Sequence, residues 1–263
     1  MPQLWTLTQG DQPVIAVALH DGHDVRPEVE KLFALSRDER KREEDPFTAR
    51  WTDIADTRLV VLRSRFELDL NRPRHKTVYL QPEDAWGLKV WREPPPADIL
   101  ERTLAEYDAF YSTVKELCQS FEQRYGHFVI YDLHTYNHYR DGQHASPAAP
   151  SHNPEVNLGT DYIDRDYWSP VVERFLDDMR RFQFLGEQLD VRENVKFYGG
   201  YFAQWVSQHF PRSACVLSVE VKKFFMNEWT HQPDLIKLES VHQALRATVP
   251  GVIEELQRLS KAA

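Results

Sequence analysis

Four short apolar runs constrain this chain more than any other feature. They are VIAVAL at Val14 to Leu19, LVVL at Leu59 to Leu62, FVIYDL at Phe128 to Leu133 and ACVLSVEV at Ala214 to Val221. None shows the strict apolar–polar alternation of a strand with one wet face, so each reads as a strand covered on both sides of a sheet. Phe66 to Arg72 (FELDLNR) reads as one more short strand. Long helical segments lie between them. From Ala97 to Arg124, apolar residues such as Leu104, Tyr107, Val114, Leu117, Cys118 and Phe121 recur at helical spacing, and Gly126 is placed as the stop. A second helix is expected over about 166–189. A third is expected from Asp234, broken or restarted at Pro250-Gly251 because proline cannot continue the hydrogen-bond ladder. Strands alternating with long helices predict an α/β layered fold.

At 263 residues the chain suits one large domain, 1–263, better than two small ones. Its net charge of -9 and pI near 5.7 argue against nucleic acid or a membrane surface as partner, since both demand a basic patch. An anionic substrate would need a local cluster of Arg or Lys. No signal peptide is visible in MPQLWTLTQGDQP, and no apolar run reaches the roughly 20 residues of a membrane span, so a cytoplasmic location is the default expectation. Cys118 and Cys215 read as small buried hydrophobes. The Pro- and Ser-rich stretch Asp141 to Pro154 reads equally as a flap over a site or as a surface loop. Aromatic residues near Trp205 and Trp229 suit either a homo-oligomer contact or the core.

The ends of the apolar runs carry the chemistry. His20 follows the first run directly, in LHDGHDVRPE, with Gly22 permitting a sharp turn and His23 three residues on. Ligands of open α/β sheets bind beyond the carboxyl ends of the strands, so His20 stands where an imidazole can meet a metal; a structural histidine is the other reading. In YDLHTYNHYR, His134 again emerges from a strand end, two residues after Asp132. Zinc takes His nitrogen and carboxylate oxygen, and Asp132 can serve as the partner of the other ring nitrogen. An ordinary polar pair at the sheet edge is the alternative. Glu220 lies inside an apolar run, where a carboxylate is costly to bury uncompensated. It can act as the general base of a metal site or pair with Lys222, Lys223 or an arginine. In SRFELDLNRPR, Arg65 and Arg72 can fork onto carboxylates with Asp69 and Asn71 positioning them, or form a surface turn.

Together the segments LHDGH, EEDPFTARWTD, SRFELDLNRPR, YDLHTYNHYR, NLGT at Asn157 to Thr160, YGGYFAQW at Tyr198 to Trp205 and SVEVKKFFMNEW resemble the N-formylglutamate amidohydrolase family, in the family's order and over nearly the whole chain. DLNRP and DLH are the most specific of these. The resemblance implies a three-layer α/β sandwich, a central mixed sheet flanked by helices, similar to zinc carboxypeptidases. It implies His20 and His134 as ligands of a divalent metal, zinc or another, with Asp45 or His23 completing the set. Glu220 falls where the general base belongs, and Arg65, Asn71, Arg72 and Arg140 are the candidates for holding substrate carboxylates. The implied reaction is hydrolysis of the N-formyl or N-acyl amide of an acidic amino acid such as N-formyl-L-glutamate, a step of histidine degradation. Leu19 before His20 and Asp21 after it depart from the family's usual proline-His-small-Gly opening, which leaves substrate choice more open than reaction class. A carboxypeptidase-like peptidase or amidase, and a non-enzymatic binder of an acidic metabolite, are the competing readings.

Overall fold

The computed structural model describes residues 3–262. Its strands are β1 (Trp5–Thr8), β2 (Val14–Ala18), β3 (Thr57–Val61), β4 (Phe128–Tyr136), β5 (Val156–Gly159), β6 (Gln183–Phe184), β7 (Glu187–Gln188), β8 (Val191–Glu193) and β9 (Ala214–Lys222). The helices are α1 (Pro27–Glu30), α2 (Arg37–Glu43), α3 (Thr48–Trp51), α4 (Ala97–Tyr125), α5 (Ser169–Arg181), α6 (Tyr201–His209) and α7 (Leu235–Ala262). Seven strands form one mixed sheet in the order β1-β3-β2-β4-β9-β5-β8. β3, β2, β4 and β9 run parallel, β1 is antiparallel to β3, β5 is antiparallel to β9, and β8 is parallel to β5. The expected mixed sheet flanked by helices is present.

The strand period of two sorts each central strand onto two helical layers. Val129, Tyr131 and Leu133 of β4 join Cys215, Leu217, Val219 and Val221 of β9 in a core packed on α5 and α7. Phe128 and Ile130, with Ala214 and Val216, face the other way onto α4 and α6. A third apolar cluster, including Val29, Phe66, Tyr79 and Trp91, lies under the loops on that side. Cys118 and Cys215 are buried and unbridged. Trp205 packs edge-on against Tyr111, with ring centroids 4.9 Å apart.

Several expectations need correction. FELDLNR is a buried turn, not a strand. Phe66, Leu68 and Leu70 reach the core, but Glu67 is taken by Arg26 and Arg63, and the Asp69 amide pairs across a loop with the Thr77 carbonyl at 2.8 Å. The helix expected over 166–189 stops at Arg181, and the rest is the β6–β7 hairpin. Leu185 and Gly186, with φ of 51° and 91°, supply its two-residue turn. The short strands β1, β5 and β8 lack a long apolar run and escape a periodicity search. No helix among the described residues is long and apolar enough to cross a membrane.

α7 runs unbroken through Pro250. Pro250 and Arg246, one turn back, are both exposed, on a helix face where water can satisfy a carbonyl that loses its amide partner. Gly251 explains the position of this turn: a Cβ there would lie 2.3 Å from Arg174 Nε and 2.4 Å from Asp178 Oδ2, both on α5. Replacing Pro250 with alanine restores the ladder bond without touching this contact. Pro250→Ala is expected to raise stability by about 1–3 kcal/mol, read as a higher urea midpoint at unchanged slope.

Candidate active site

The α4–α6 layer covers only the first half of β4 and β9. On the face it meets, β4 presents Phe128, Ile130, Asp132, His134 and Tyr136, and β9 presents Ala214, Val216, Ser218 and Glu220. Both strands change from apolar to polar at the same level, because Asp132 pairs in register with Ser218 and His134 with Glu220. Beyond that level a cavity of about 780 Å³ opens over the sheet. β2 delivers His20 to the same place, and Gly22 lets the chain leave it, since a Cβ there would lie 2.2 Å from the Leu62 carbonyl.

Three buried ligand groups converge on the cavity floor. His20, Asp45 and His134 offer atoms that all lie within 4.8 Å of one another. Asp45 Oδ2 is the centre, 3.3 Å from His20 Nδ1 and 3.0 Å from His134 Nδ1. Each ring turns its other nitrogen to a buried carboxylate: His20 Nε2 donates to Asp69 Oδ1 at 2.7 Å, and His134 Nε2 to Asp132 Oδ1 at 2.9 Å. That arrangement fixes the tautomers and leaves both Nδ1 lone pairs facing an anionic oxygen. Three acceptors cannot share one buried spot without a proton or a cation among them. Burial opposes charging of His134, but Asp132, Asp45 and Glu220 hold its pKa well above the ordinary histidine value. The His134 and His20 hydrogen bonds overcome burial to hold Asp45 well below the carboxylate range. Two nitrogens and one carboxylate oxygen, each backed by a second partner, are a donor set that a divalent ion fits.

The segments carrying these groups are tied to one another. The Asp45 amide donates to the His20 carbonyl at 2.9 Å, and Thr135 Oγ1 donates to Asp45 Oδ1 at 3.1 Å. The buried Lys223 ammonium donates to the Arg42 and Glu44 carbonyls and to Asn137 Oδ1 at 2.6, 2.8 and 2.9 Å, pinning the EEDP turn from below. Asp69, expected to position arginines, does so and also holds His20; Arg65 and Tyr79 both donate to its Oδ2.

His23 does not join the group. Its Nδ1 pairs with Glu44 Oε2 at 2.5 Å and its ring does not line the cavity, so of the two candidates for the third ligand position only Asp45 stands with the histidines. Glu220 lines the cavity beside His134, and no hydrogen bond or ion pair holds its carboxylate among the described residues. Lys222 and Lys223 point elsewhere, to the Asn153 carbonyl and the EEDP turn. Burial, with Asp45 and Asp132 adding to it against His134 and Arg65, pushes the Glu220 pKa up to about 8.

Arg65, Asn71, Arg72 and Arg140 all line the cavity, but differ in freedom. Arg65 is bound to Tyr79, Asp69 and the Glu43 carbonyl. Asn71 caps α6, its Oδ1 accepting from the Phe202 amide at 2.9 Å; a Cβ on Gly200 would strike this amide group at 2.2 Å. Arg72, 38% exposed, approaches Asp69 only to 3.9 Å, and Arg140, 42% exposed, gives one nitrogen to Glu43. Residues that sequence reasoning missed include Trp86, Tyr162 and Lys196 at the wall. Nothing in their local sequence marks them, since loops bring them in. No residue of 141–154 lines the cavity, and Arg192 holds that segment through the carbonyls of Pro150 and Ser151.

Residues 12–225 match the family model of N-formylglutamate amidohydrolase. The fold is similar to the crystal structure of an N-formylglutamate amidohydrolase from Ralstonia eutropha JMP134, with a TM-score of 0.73 at 14% identity over 99% of both chains. It is also similar to the gene product Atu2144 from Agrobacterium tumefaciens, with a TM-score of 0.63 at 17% identity over 95% of this chain and 96% of that one. No curated protein sequence matches the chain.

A carboxyl whose pKa rises on folding favours the native state while it is protonated. The benefit is complete below the unfolded value and is lost as pH climbs through about 8. In chelator-treated protein, Glu220→Gln is therefore expected to match wild type near pH 5. At pH 9 it should be the more stable by about 2–3 kcal/mol, the full linkage value being reduced by partial exposure to the cavity. Urea titrations at the two pH values measure this; equal stabilities at pH 9 would contradict it.

Proposed function

This chain belongs to the N-formylglutamate amidohydrolase family, and from that premise we propose that it hydrolyses the N-formyl or N-acyl amide of an acidic amino acid such as N-formyl-L-glutamate. The observation that carries the reading is the meeting of His20 Nδ1, His134 Nδ1 and Asp45 Oδ2 at one buried point, with an unpartnered Glu220 beside it. His20, Asp45 and His134 would hold a divalent ion, zinc being the one best suited to two imidazoles and a carboxylate. When bound, such an ion supplies Lewis acidity toward the amide oxygen and makes nearby water more acidic.

The chain's own residues do the rest. Glu220 takes a proton from the attacking water as the new C–O bond forms, and returns it to the nitrogen as the C–N bond breaks, releasing formate or another acid and an amino acid. Glu220 would be ionised next to a bound dication, and in that form it is suited to the first of these transfers. Asp69 and Asp132 keep both imidazoles in the ligating tautomer. Arg72 and Arg140 hold substrate carboxylates; Arg65 acts through Asp69, and Asn71 through its cap on α6. Proton transfer by a positioned carboxylate contributes about 10²–10⁴ in rate, so Glu220→Gln should lower kcat on N-formyl-L-glutamate by about that factor while metal content stays unchanged.

One observation favours a second substrate. A cavity of about 780 Å³ lies in the range that holds drug-sized ligands, which suits an acyl group larger than formyl. A panel of N-acyl glutamates ranked by kcat/KM separates the two readings. Elemental analysis tests the metal site directly. Untagged wild type and His23→Ala are expected to carry near-stoichiometric metal, and His134→Ala to have lost it. Metal retained by His134→Ala, or absent from wild type even after zinc is supplied, would defeat this assignment.

A further inference from the structure

We propose that Lys196, together with Arg140, forms the subsite that receives the substrate's side-chain carboxylate and so sets the preference for an acidic amino acid. The inference rests on the amidohydrolase reading above for the identity of the ligand.

Lys196 is placed with unusual firmness for a loop residue. It follows β8, and the fully buried Asn157 of β5 organises its backbone. Asn157 Oδ1 accepts from the amides of Val195 at 3.0 Å, Lys196 at 2.9 Å and Phe197 at 3.4 Å, while its Nδ2 donates to the Phe197 carbonyl at 2.7 Å. Asn157 stands in register with Glu220 on β9, so the loop bearing Lys196 is fixed relative to the proton carrier. Gly159 lets this loop close in: a Cβ there would lie 2.5 Å from the Gly199 amide. The NLGT and GGY motifs therefore meet to hold one wall of the cavity.

The Lys196 side chain lies against the rings of Tyr136 and Phe197, its Nζ 5.2 and 5.7 Å from their centroids. The ammonium donates to Asn153 Oδ1, which leaves donor capacity for the cavity it lines, and no carboxylate pairs with it among the described residues. Arg140 lines the same cavity. Burial, and then the charge of Arg140, hold the Lys196 pKa below the ordinary lysine value. An anion in the cavity relieves that repulsion and gains a charge-assisted hydrogen bond. Position decides which carboxylate binds here. Arg72 lies by Asp69, which holds His20 in the ligand group, whereas Arg140 gives one nitrogen to Glu43 and Lys196 is held by Asn157 and Asn153, neither hydrogen-bonded to that group. The side-chain carboxylate, several bonds from the scissile amide, is the one that suits a subsite set apart from the ligand group.

Calorimetric titration on zinc-supplemented Glu220→Gln protein, in which turnover is slowed by about 10²–10⁴, tests this. The ligands are N-formyl-L-glutamate and the uncharged N-formyl-L-glutamine. Adding Lys196→Met should weaken the first about 10- to 100-fold and leave the second within about twofold, whereas Lys196→Arg should keep most of the discrimination. Asn153→Ala, which removes the lysine's tether but not its charge, should keep it too. Equal weakening of both ligands by Lys196→Met, which a merely structural lysine would cause, overturns the proposal. So does no change in either, or binding of neither. Discrimination that depends on Lys196 in a protein whose Glu220 form hydrolyses no N-acyl amino acid would leave the subsite standing and defeat the amidohydrolase reading instead.

Discussion

Asp45 Oδ2, His20 Nδ1 and His134 Nδ1 are brought to one buried point where, as bare acceptors, they repel, and much of the surrounding structure exists to hold them there. Asp69 and Asp132 anchor the far side of each ring. Thr135 orients the Asp45 carboxylate, and the His20 carbonyl takes the Asp45 amide. Each of these anchors is satisfied in turn: Asp69 accepts from Arg65, Tyr79 and the Asn71 amide, and Lys223 fastens the turn that carries Asp45. Segments near residues 20, 45, 69, 134 and 223 are thus interlocked by polar contacts at a place where apolar packing has stopped. A fully satisfied polar network of this kind is rigid, and rigidity is what a ligand set requires.

The charge distribution separates the surface from the site. The chain carries a net charge of -9, yet its cavity is lined by Arg65, Arg72, Arg140, Lys196 and Lys223. Salt screens the global field beyond roughly 8 Å at physiological ionic strength, so local cations govern what an anionic ligand meets on entry. They are graded in freedom: Lys223 and Arg65 are bound to backbone and side-chain acceptors, while Arg72 and Arg140 are partly open. The tied cations stabilise the acidic floor, and the freer ones remain for a ligand.

Much of this was legible in the strand sequences. In FVIYDLHTY every second residue, Phe128, Ile130, Asp132, His134, changes from apolar to polar halfway, and in ACVLSVEVK the series Ala214, Val216, Ser218, Glu220 does the same. The opposite faces stay largely apolar, with Val129, Tyr131 and Leu133, and with Cys215, Leu217, Val219 and Val221. Parity alone therefore shows where one helical layer ends and a polar cavity begins, and it groups Asp132 with His134 on one face. FELDLNR shows the limit of such reasoning: its alternation is real and its apolar residues are buried, but ion pairs to Glu67 and Asp69 hold it as a turn.

Local periodicity and residues within single segments were enough for the layered α/β class, for a family recognisable from its motifs, and for His20, His134 and Glu220 near the carboxyl ends of their strands, although β4 and β9 run two residues beyond His134 and Glu220. That Asp45 rather than His23 stands with the histidines, that Asp69 backs His20, that Arg65 and Asn71 are occupied by the protein itself, and that Lys196 reaches the cavity follow from the packed chain alone. His20 and His23 are three residues apart, but the segment between them packs at Gly22 against the Leu62 carbonyl and the two rings reach different neighbours, whereas Asp45 arrives from 25 residues away. Such partnerships are set by how loops pack over the sheet. That is a property of long-range contacts, and no spacing along the chain encodes it.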